Sequence, residues 1–176
     1  MTGQFDSVDL PALDTFVEQV KNGQADEVRG VYIPDVLAAL VVQQPAGMYG
    51  FVSPWQNIMT QFGLASKFGS TGLLAHNNLA GKSFVVLQNG QKFDLIYGDG
   101  KISTFVVSEI LQFQALEPTS ISSSFVDLES GDILTASELF TKIYDRPGQV
   151  ILQTCIDADH NASWGRLFII AKPYAE

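Results

Sequence analysis

The sequence contains one cysteine, Cys155, among 176 residues. A single thiol cannot form an intrachain disulfide, and it cannot supply a zinc site built on several thiolates. Basic residues are also scarce, since 10 Lys and Arg stand against 19 Asp and Glu and the net charge is -9. Such a surface repels nucleic-acid phosphates and anionic membrane headgroups, so neither is expected as a partner.

Long apolar runs are absent as well. The longest, residues 36–42, is far shorter than the roughly 18 residues that a membrane-spanning helix needs, so no membrane span is expected. Residues 1–9 contain no Lys or Arg and no apolar stretch, which is unlike a signal peptide. The length, with 46% hydrophobic and 16% charged residues, predicts one globular domain with one core.

The chain begins with a helical pattern. Apolar residues from Leu10 to Val20 recur at helical spacing, and Asp9 is a candidate N-cap. Residues 1–27 are therefore predicted as an N-terminal helical extension. Residues 28–176 form the predicted β-domain.

Strand patterns dominate the rest of the sequence. Segments with strand character are 28–36, 72–75, 83–87, 92–97, 104–114, 149–154 and 166–171. Short helices are predicted at 55–62 and after Thr135, where Thr135 and Glu138 have the spacing of a capping box. Together these patterns predict a mainly β fold, a closed or partly closed barrel with a few short helices.

Three residues at predicted strand ends could carry chemistry. Cys155 follows the apolar strand 150–154, and a strand end holds a nucleophile rigidly beside a cleft. A reactive cysteine needs a partner that favours the thiolate or takes a proton, and His76 ends another strand. Arg166 opens the strand after Cys155. In an antiparallel hairpin both would lie at one end of the sheet, where a guanidinium stabilises a thiolate and an oxyanion.

Structural interpretations compete with each of these assignments. A lone cysteine is more often a small buried hydrophobe, a lone histidine is more often a hydrogen-bonded structural residue, and Arg166 could be an ordinary surface side chain. His160, in the predicted loop 157–164, is the alternative histidine. His76 is favoured over it because a strand end is better preorganised than a loop.

Four segments, in their order along the chain, resemble the sortase family. Leu73-Leu74-Ala75-His76-Asn77 resembles the sortase histidine motif, and residues 84–95 resemble the strand pair that follows it. The segment 150–155 is similar to the cysteine strand, which ends in Thr-Cys. The segment 165–171 is similar to the strand that the family's arginine opens. The resemblance covers roughly residues 28–173.

Sortases are cysteine transpeptidases built on an eight-stranded β-barrel, so the resemblance implies that fold and that activity. Cys155 would attack a sorting-signal peptide and form a thioacyl enzyme, His76 would protonate the departing amine, and Arg166 would hold the substrate and the oxyanion. The implied substrate-binding residues are Thr154, Asn77 and Trp164. The implied partners are a peptide with a sorting motif and an amine acceptor or water, at an extracytoplasmic location, with no cofactor.

Two alternatives remain open at this point. Oxygen ligands alternate at Asp157, Asp159 and Asn161 as in the first half of a calcium loop, but Ala162 and Phe168 replace its glycine and closing glutamate. A polar turn is therefore favoured over a calcium site. The chain could also be a non-catalytic peptide- or partner-binding barrel of the same fold, in which Cys155 has no reason to be reactive.

Overall fold

The structure, a computed structural model, describes residues 9–176, so the first eight residues of the predicted N-terminal extension lie outside it. The strands are β1 (Val28–Ile33), β2 (Leu37–Gln43), β3 (Ile58–Gln61), β4 (Thr71–Leu74), β5 (Lys92–Tyr97), β6 (Ile102–Ala115), β7 (Phe125–Asp127), β8 (Ile133–Leu134), β9 (Val150–Ala158) and β10 (Asn161–Pro173). The helices are α1 (Leu13–Val20), α2 (Gly63–Ser66), α3 (Ala136–Tyr144) and a 3₁₀-helix (Ala80–Val86).

The strands form one sheet that closes on itself. Their order is β10-β9-β4-β3-β2-β1-β5-β6, and β6 pairs back with β10, which completes an eight-stranded barrel. The short strand β7 pairs with the C-terminal end of β6, and β8 pairs with β7, so these two strands extend the sheet outside the barrel. The pairs β2–β3 and β4–β9 are parallel, and the other pairs are antiparallel. The predicted mainly β barrel with a few short helices is confirmed.

Strands β9 and β10 are buried on both faces in the half of the hairpin that lies away from its turn. Alternate residues fill the barrel interior: Val150, Leu152, Leu167, Ile169 and Ala171. The residues between them face outward and pack under α3: Ile151, Phe168 and Ile170, against Leu139, Ile143 and Tyr144. Because this part of the strand pair is packed on both faces, it holds the side chains nearer the hairpin turn in fixed positions.

Helix α1 begins later than the sequence predicts. Its N-cap is Ala12, and Asp9 makes no capping hydrogen bond. The Tyr32 hydroxyl donates to the Pro11 carbonyl at 2.8 Å and fixes the chain there before the helix starts. The apolar face of α1 then packs against the barrel through Phe16, which lies over Gly30 where a Cβ would be only 2.9 Å from the ring.

Two of the predicted helices and strands have a different secondary structure. The segment predicted as a helix at 55–62 contains strand β3, because pairing with β2 and β4 overrides its local pattern. The segment predicted as a strand at 83–87 belongs to the 3₁₀-helix. There Phe84 and Leu87 fill the barrel core while Val85 and Val86 are exposed. Short apolar runs do not by themselves distinguish strand from helix.

Helix α3 begins with the predicted capping box, in which Thr135 and Glu138 bond each other's backbone N–H. At its other end Arg146 forms a bidentate pair with Glu109 of β6, with N–O distances of 3.0 and 3.2 Å. The hydrogen bond from Arg146 holds the pKa of Glu109 below its ordinary value of 4.5, against the opposing effect of burial. The pair therefore ties α3 to the barrel wall.

This ion pair should contribute to stability only where Glu109 is ionised. Because its folded pKa is lowered, the contribution is present above the pKa of the unfolded chain and is lost as the pH falls through the folded pKa. We expect Glu109→Gln to lower the free energy of unfolding at pH 7 by about 0.5 kcal/mol, a small value because the pair is partly exposed. Urea unfolding at pH 2.5 should show no difference.

The matched control is Glu18→Gln, which removes an exposed i,i+3 partner of Lys21 on α1. That substitution should change stability at pH 7 by no more than a few tenths of a kcal/mol. An equal effect of Glu109→Gln at both pH values would exclude an ionic contribution from the Arg146 pair.

Candidate active site on strands β4, β9 and β10

Cys155 and Arg166 lie directly opposite each other. Strands β9 and β10 pair antiparallel, and these two residues are register partners, as the sequence predicts for a hairpin. Directly opposed residues of an antiparallel pair share a face, with Cβ atoms about 5 Å apart. The inner face of both strands belongs to the barrel core, so Cys155 and Arg166 occupy the outer face.

Neither residue stands at a strand end, which corrects that part of the prediction. The predicted loop 157–164 is strand except for a two-residue turn at Asp159 and His160, with φ angles of 50° and 59°. Such left-handed pairs suit a tight hairpin turn. The strand residues next to this turn include Asp157, Asn161 and Ser163. Because polar runs of this kind are typical of loops, the sequence pattern predicted a loop here.

His76 lies on the other side of Cys155 from Arg166. In the parallel pair β4–β9, Leu74 is opposite Gln153, and the Ala75 N–H donates to the Gln153 carbonyl at 3.1 Å. The same register carried two residues further brings His76 level with Cys155, across a strand spacing of about 4.8 Å. His76 is exposed and Cys155 is half-buried. Arg166 thus lies opposite Cys155 on β10, and the extended register directs His76, two residues beyond the end of β4, to the opposite side of Cys155.

The backbone of His76 is tied to the helix that follows it. The His76 carbonyl accepts hydrogen bonds from the N–H groups of Leu79 and Gly81, both at 3.0 Å. Gly81 packs so closely on β9 that a Cβ there would overlap the Thr154 hydroxyl and lie 2.7 Å from the His76 carbonyl oxygen. Asn77 donates to the Ala162 carbonyl at 2.9 Å and links this segment to the hairpin.

Arg166 is held by its own strand. Its Nη1 donates to the carbonyls of Ser163 and Gly165 at 3.0 and 2.9 Å, and the guanidinium lies 5.7 Å from the Phe125 ring centroid. That distance is within range of a cation–π contact. Within residues 9–176, Arg166 forms no ion pair, and its Nε and Nη2 donate to no protein acceptor. These donors remain available to a ligand.

A mainly apolar cavity of about 430 Å³ lies on the Arg166 side of the site. Near the site its wall is formed by Leu74, Gln153, Arg166 and Phe168. Its far wall comes from the 45–57 connection, the 118–124 loop and α3, with Tyr49, Val52, Phe62, Ile121, Phe125, Leu139, Phe140, Ile143 and Tyr144 among the lining residues. This cavity could bind an apolar side chain of a peptide, at some distance from the peptide bond that lies at Cys155.

A second cavity, of about 390 Å³, borders Cys155, and a larger share of the residues in its wall are polar. The polar residues of its wall are Asn77, Asn78, Lys82, Gln112, Thr154 and Asp157. Cys155 lines this polar cavity, and its register partner Arg166 lines the apolar one. Such an arrangement can bind the two halves of a substrate, or two substrates, on either side of one thiol.

The predicted substrate-binding residues differ in their positions. Asn77 lines the polar cavity. Thr154 is only 3% exposed, and its hydroxyl, which lies beneath Gly81, has no hydrogen-bond partner among the described residues. Trp164 is half-buried on β10 and lines neither cavity. A direct substrate contact is thus geometrically simplest for Asn77.

The alternative histidine and the candidate calcium ligands lie at the hairpin tip. His160 is exposed in the turn, roughly 13–16 Å along the strand from Cys155. The Asn161 side chain already accepts a hydrogen bond from the Ser163 N–H at 2.9 Å. Within residues 9–176 there is no group of three or more His, Cys, Asp or Glu residues that could hold a metal ion.

Three residues that shape the site are not among those predicted from the sequence. Gln153 lies on the same face as Cys155, which strict alternation along β9 could have indicated. Phe125 beneath Arg166 and Gly81 against Thr154 have no local signal, because their partners are distant in sequence.

Comparison with known proteins supports the fold through structure alone. No protein-family model matches the chain, and no curated protein matches it. Among solved structures, sortase C-1 from Actinomyces oris matches with a TM-score of 0.57 at 13% identity, covering 98% of this chain and 86% of that one. Sortase C1 from Streptococcus suis matches with a TM-score of 0.57 at 15% identity, covering 93% and 79%.

Sortase A from Listeria monocytogenes is a further structural match, with a TM-score of 0.51 at 14% identity over 85% of this chain and 89% of that one. The chain therefore has a sortase-like fold, as the resemblance implied. At these identities the matches establish the fold only. Any catalytic activity has to be argued from the residues of the site. In residues 9–176 no helix is long and apolar enough to cross a membrane.

Proposed function

We propose that this chain is a cysteine transpeptidase or peptidase that transfers a peptidyl group through a thioacyl intermediate on Cys155. The observation that supports the proposal is the register of β4, β9 and β10, which pairs Cys155 with Arg166 and, extended two residues past Leu74, would bring His76 beside Cys155. A thiol, an acid–base group and a cation are the parts that acyl transfer needs.

Acylation begins with attack of the Cys155 sulfur on a peptide carbonyl carbon. A carbon–sulfur bond forms, and the carbonyl π pair moves onto oxygen, where the free donors of Arg166 stabilise the negative charge. The oxyanion then collapses, and the carbon–nitrogen bond breaks. Protonated His76 gives its proton to the departing amine, and a thioester remains on Cys155.

Deacylation reverses these roles with a second nucleophile. An amine or a water attacks the thioester carbonyl while neutral His76 takes its proton. The carbon–sulfur bond breaks, and the Cys155 thiolate leaves. With an amine the product is a new amide, and with water it is a carboxylic acid.

The two cavities suggest how the substrates divide. The acyl part of the peptide would occupy the apolar cavity beyond Arg166, and the amine would approach through the polar cavity with Asp157 in its wall. The partners are then a peptide carrying a sorting motif and an amine acceptor. An extracytoplasmic location is part of the same proposal.

Alkylation of Cys155 by iodoacetamide across pH 5–9 tests the site. We expect labelling of the native chain, because the thiolate is the nucleophile and the site holds two groups that favour it. His76→Ala and Arg166→Lys should each lower the rate near neutral pH, because the first removes the group that would take the thiol proton and the second replaces the planar guanidinium opposite the sulfur. His160→Ala, the matched control at the hairpin tip, should leave the profile unchanged.

Mass spectrometry of the labelled chain gives the readout. Cys155 that labels only after unfolding would remove the nucleophile from the proposal. The chain would then be better described as a non-catalytic peptide- or partner-binding barrel. Labelling that responds to His160 instead of His76 would overturn the assignment of the acid–base residue.

A further inference from the structure

Gln153 lies on the outer face of β9, two residues before Cys155, and lines the apolar cavity. Two residues of an extended strand span about 6.6 Å, and an extended peptide returns its carbonyls to the same side over that same distance. A peptide whose scissile carbonyl lies at Cys155 therefore presents the carbonyl two residues upstream beside Gln153.

Tyr144 fixes which way the Gln153 amide faces. Tyr144 is 2% exposed at the end of α3, and its hydroxyl donates to Gln153 Oε1. Burial raises the pKa of Tyr144, so the phenol keeps its proton at neutral pH and can remain a donor. Because Oε1 is taken, Nε2 is left as the free end of the amide. Within residues 9–176 no acceptor binds Nε2.

We propose that Gln153 is a specificity-determining residue, whose Nε2 donates a hydrogen bond to the peptide carbonyl two residues upstream of the scissile one. Tyr144 is the positioning residue that holds the amide in this orientation. The inference deepens the proposed acyl transfer and rests on it. It also narrows the substrate to a chain with a hydrogen-bond acceptor at that position, since an acyl group without one would leave Nε2 unpaired.

Irreversible alkylation of Cys155 tests this without a known substrate. The probe is the chloromethyl ketone of acetyl-Leu-Ala-Ala, whose ketone takes the place of the scissile carbonyl and whose leucine carbonyl lies two residues upstream. A second probe replaces the Leu–Ala amide with an E-alkene and lacks that carbonyl. A third places the alkene at the Ala–Ala amide, and chloroacetone reports the reactivity of the thiol alone.

The principal variant is Gln153→Met, which keeps the length of the side chain and removes its donors. A net hydrogen bond corresponds to roughly a fivefold change, so we expect about fivefold slower alkylation of this variant by the first and third probes. The second probe should react about fivefold more slowly with the wild-type chain and lose nothing further in Gln153→Met. The chloroacetone rate should not change. Such a cycle isolates the one contact.

Two further variants separate positioning from folding. Tyr144→Phe keeps the amide but frees its orientation, so the preference for the first probe over the second should fall while the chloroacetone rate holds. Gln153→Met leaves a buried phenol unpaired and destabilises the fold, and the double variant Tyr144→Phe with Gln153→Met removes both partners and restores stability. It should show the same loss of probe preference as Gln153→Met.

Two results would overturn the inference in distinguishable ways. If Gln153→Met slows the first two probes equally, Gln153 does not contact that carbonyl, and the acyl-transfer proposal stands without it. If the peptidyl probes react no faster than chloroacetone with the wild-type chain, no peptide site adjoins Cys155, and both proposals fail together.

Discussion

His76→Ala is expected to lower the rate of peptide cleavage by about 10²–10⁴-fold, the range typical for loss of a general acid–base group. The substrate for this measurement is any peptide that the wild-type chain cleaves, selected from a mixed pool by mass spectrometry. The physical reason is that an amine leaves as a strongly basic anion unless a proton is supplied. His76 is exposed, and in the proposed mechanism it supplies that proton.

The leaving group provides the internal control. When the scissile amide of the same peptide is replaced by a p-nitrophenyl ester, the departing group needs no proton. His76→Ala should then reduce acylation far less than it does with the amide. His160→Ala should alter both substrates by less than about twofold, because surface changes away from a site have little effect. Equal losses of His76→Ala on amide and ester would mean that His76 has a structural role only.

Gly81→Ala is expected to destabilise the fold and to reduce activity together. The added methyl group would meet the Thr154 side chain and the His76 carbonyl, with 2.7 Å to the carbonyl oxygen. Neither atom can move freely, since one belongs to a buried strand and the other to the backbone. Overpacking of this kind costs about 1–3 kcal/mol, which corresponds to a decrease in melting temperature of roughly 2–12 °C for a chain of this size.

Gly63→Ala is the matched control for this substitution. A Cβ at Gly63, which begins α2, has its nearest neighbour at an ordinary 3.6 Å, so the melting temperature should not fall. Adding Thr154→Ala to Gly81→Ala should restore only part of the stability, because the His76 carbonyl still obstructs the methyl group. Activity that falls with unchanged stability would show that the methyl group displaces His76 alone.

The barrel could be predicted largely from local patterns. Strands β5 and β6 have strong alternation and a clear turn between them, and their prediction is confirmed. The capping box of α3 depends only on residues close in sequence, and its prediction is also confirmed. Strand β3 could not be predicted in this way, because only its pairing with β2 and β4, which local patterns do not report, makes it a strand.

The candidate site also contains one part that local patterns predict and one part that they do not. The position of Cys155 opposite Arg166 could be predicted, because one hairpin contains both residues. The position of His76 beside them depends on a parallel pairing between β4 and β9, which no local pattern reveals. Tyr144 of α3 and Gln153 of β9 likewise come together only in the folded protein. The sequence pattern therefore does not predict the hydrogen bond between them.

The parallel pairing of β4 with β9 also has a consequence for how the protein matures. Its two strands are separated by residues 75–149, so they can pair only after β9 has been synthesised, and such non-local pairing is slow. During synthesis the thiol would emerge without an imidazole beside it, and Arg166 would follow later still. Reactivity at sulfur should therefore develop together with barrel closure, which makes the alkylation rate of Cys155 a kinetic marker for the last stage of folding.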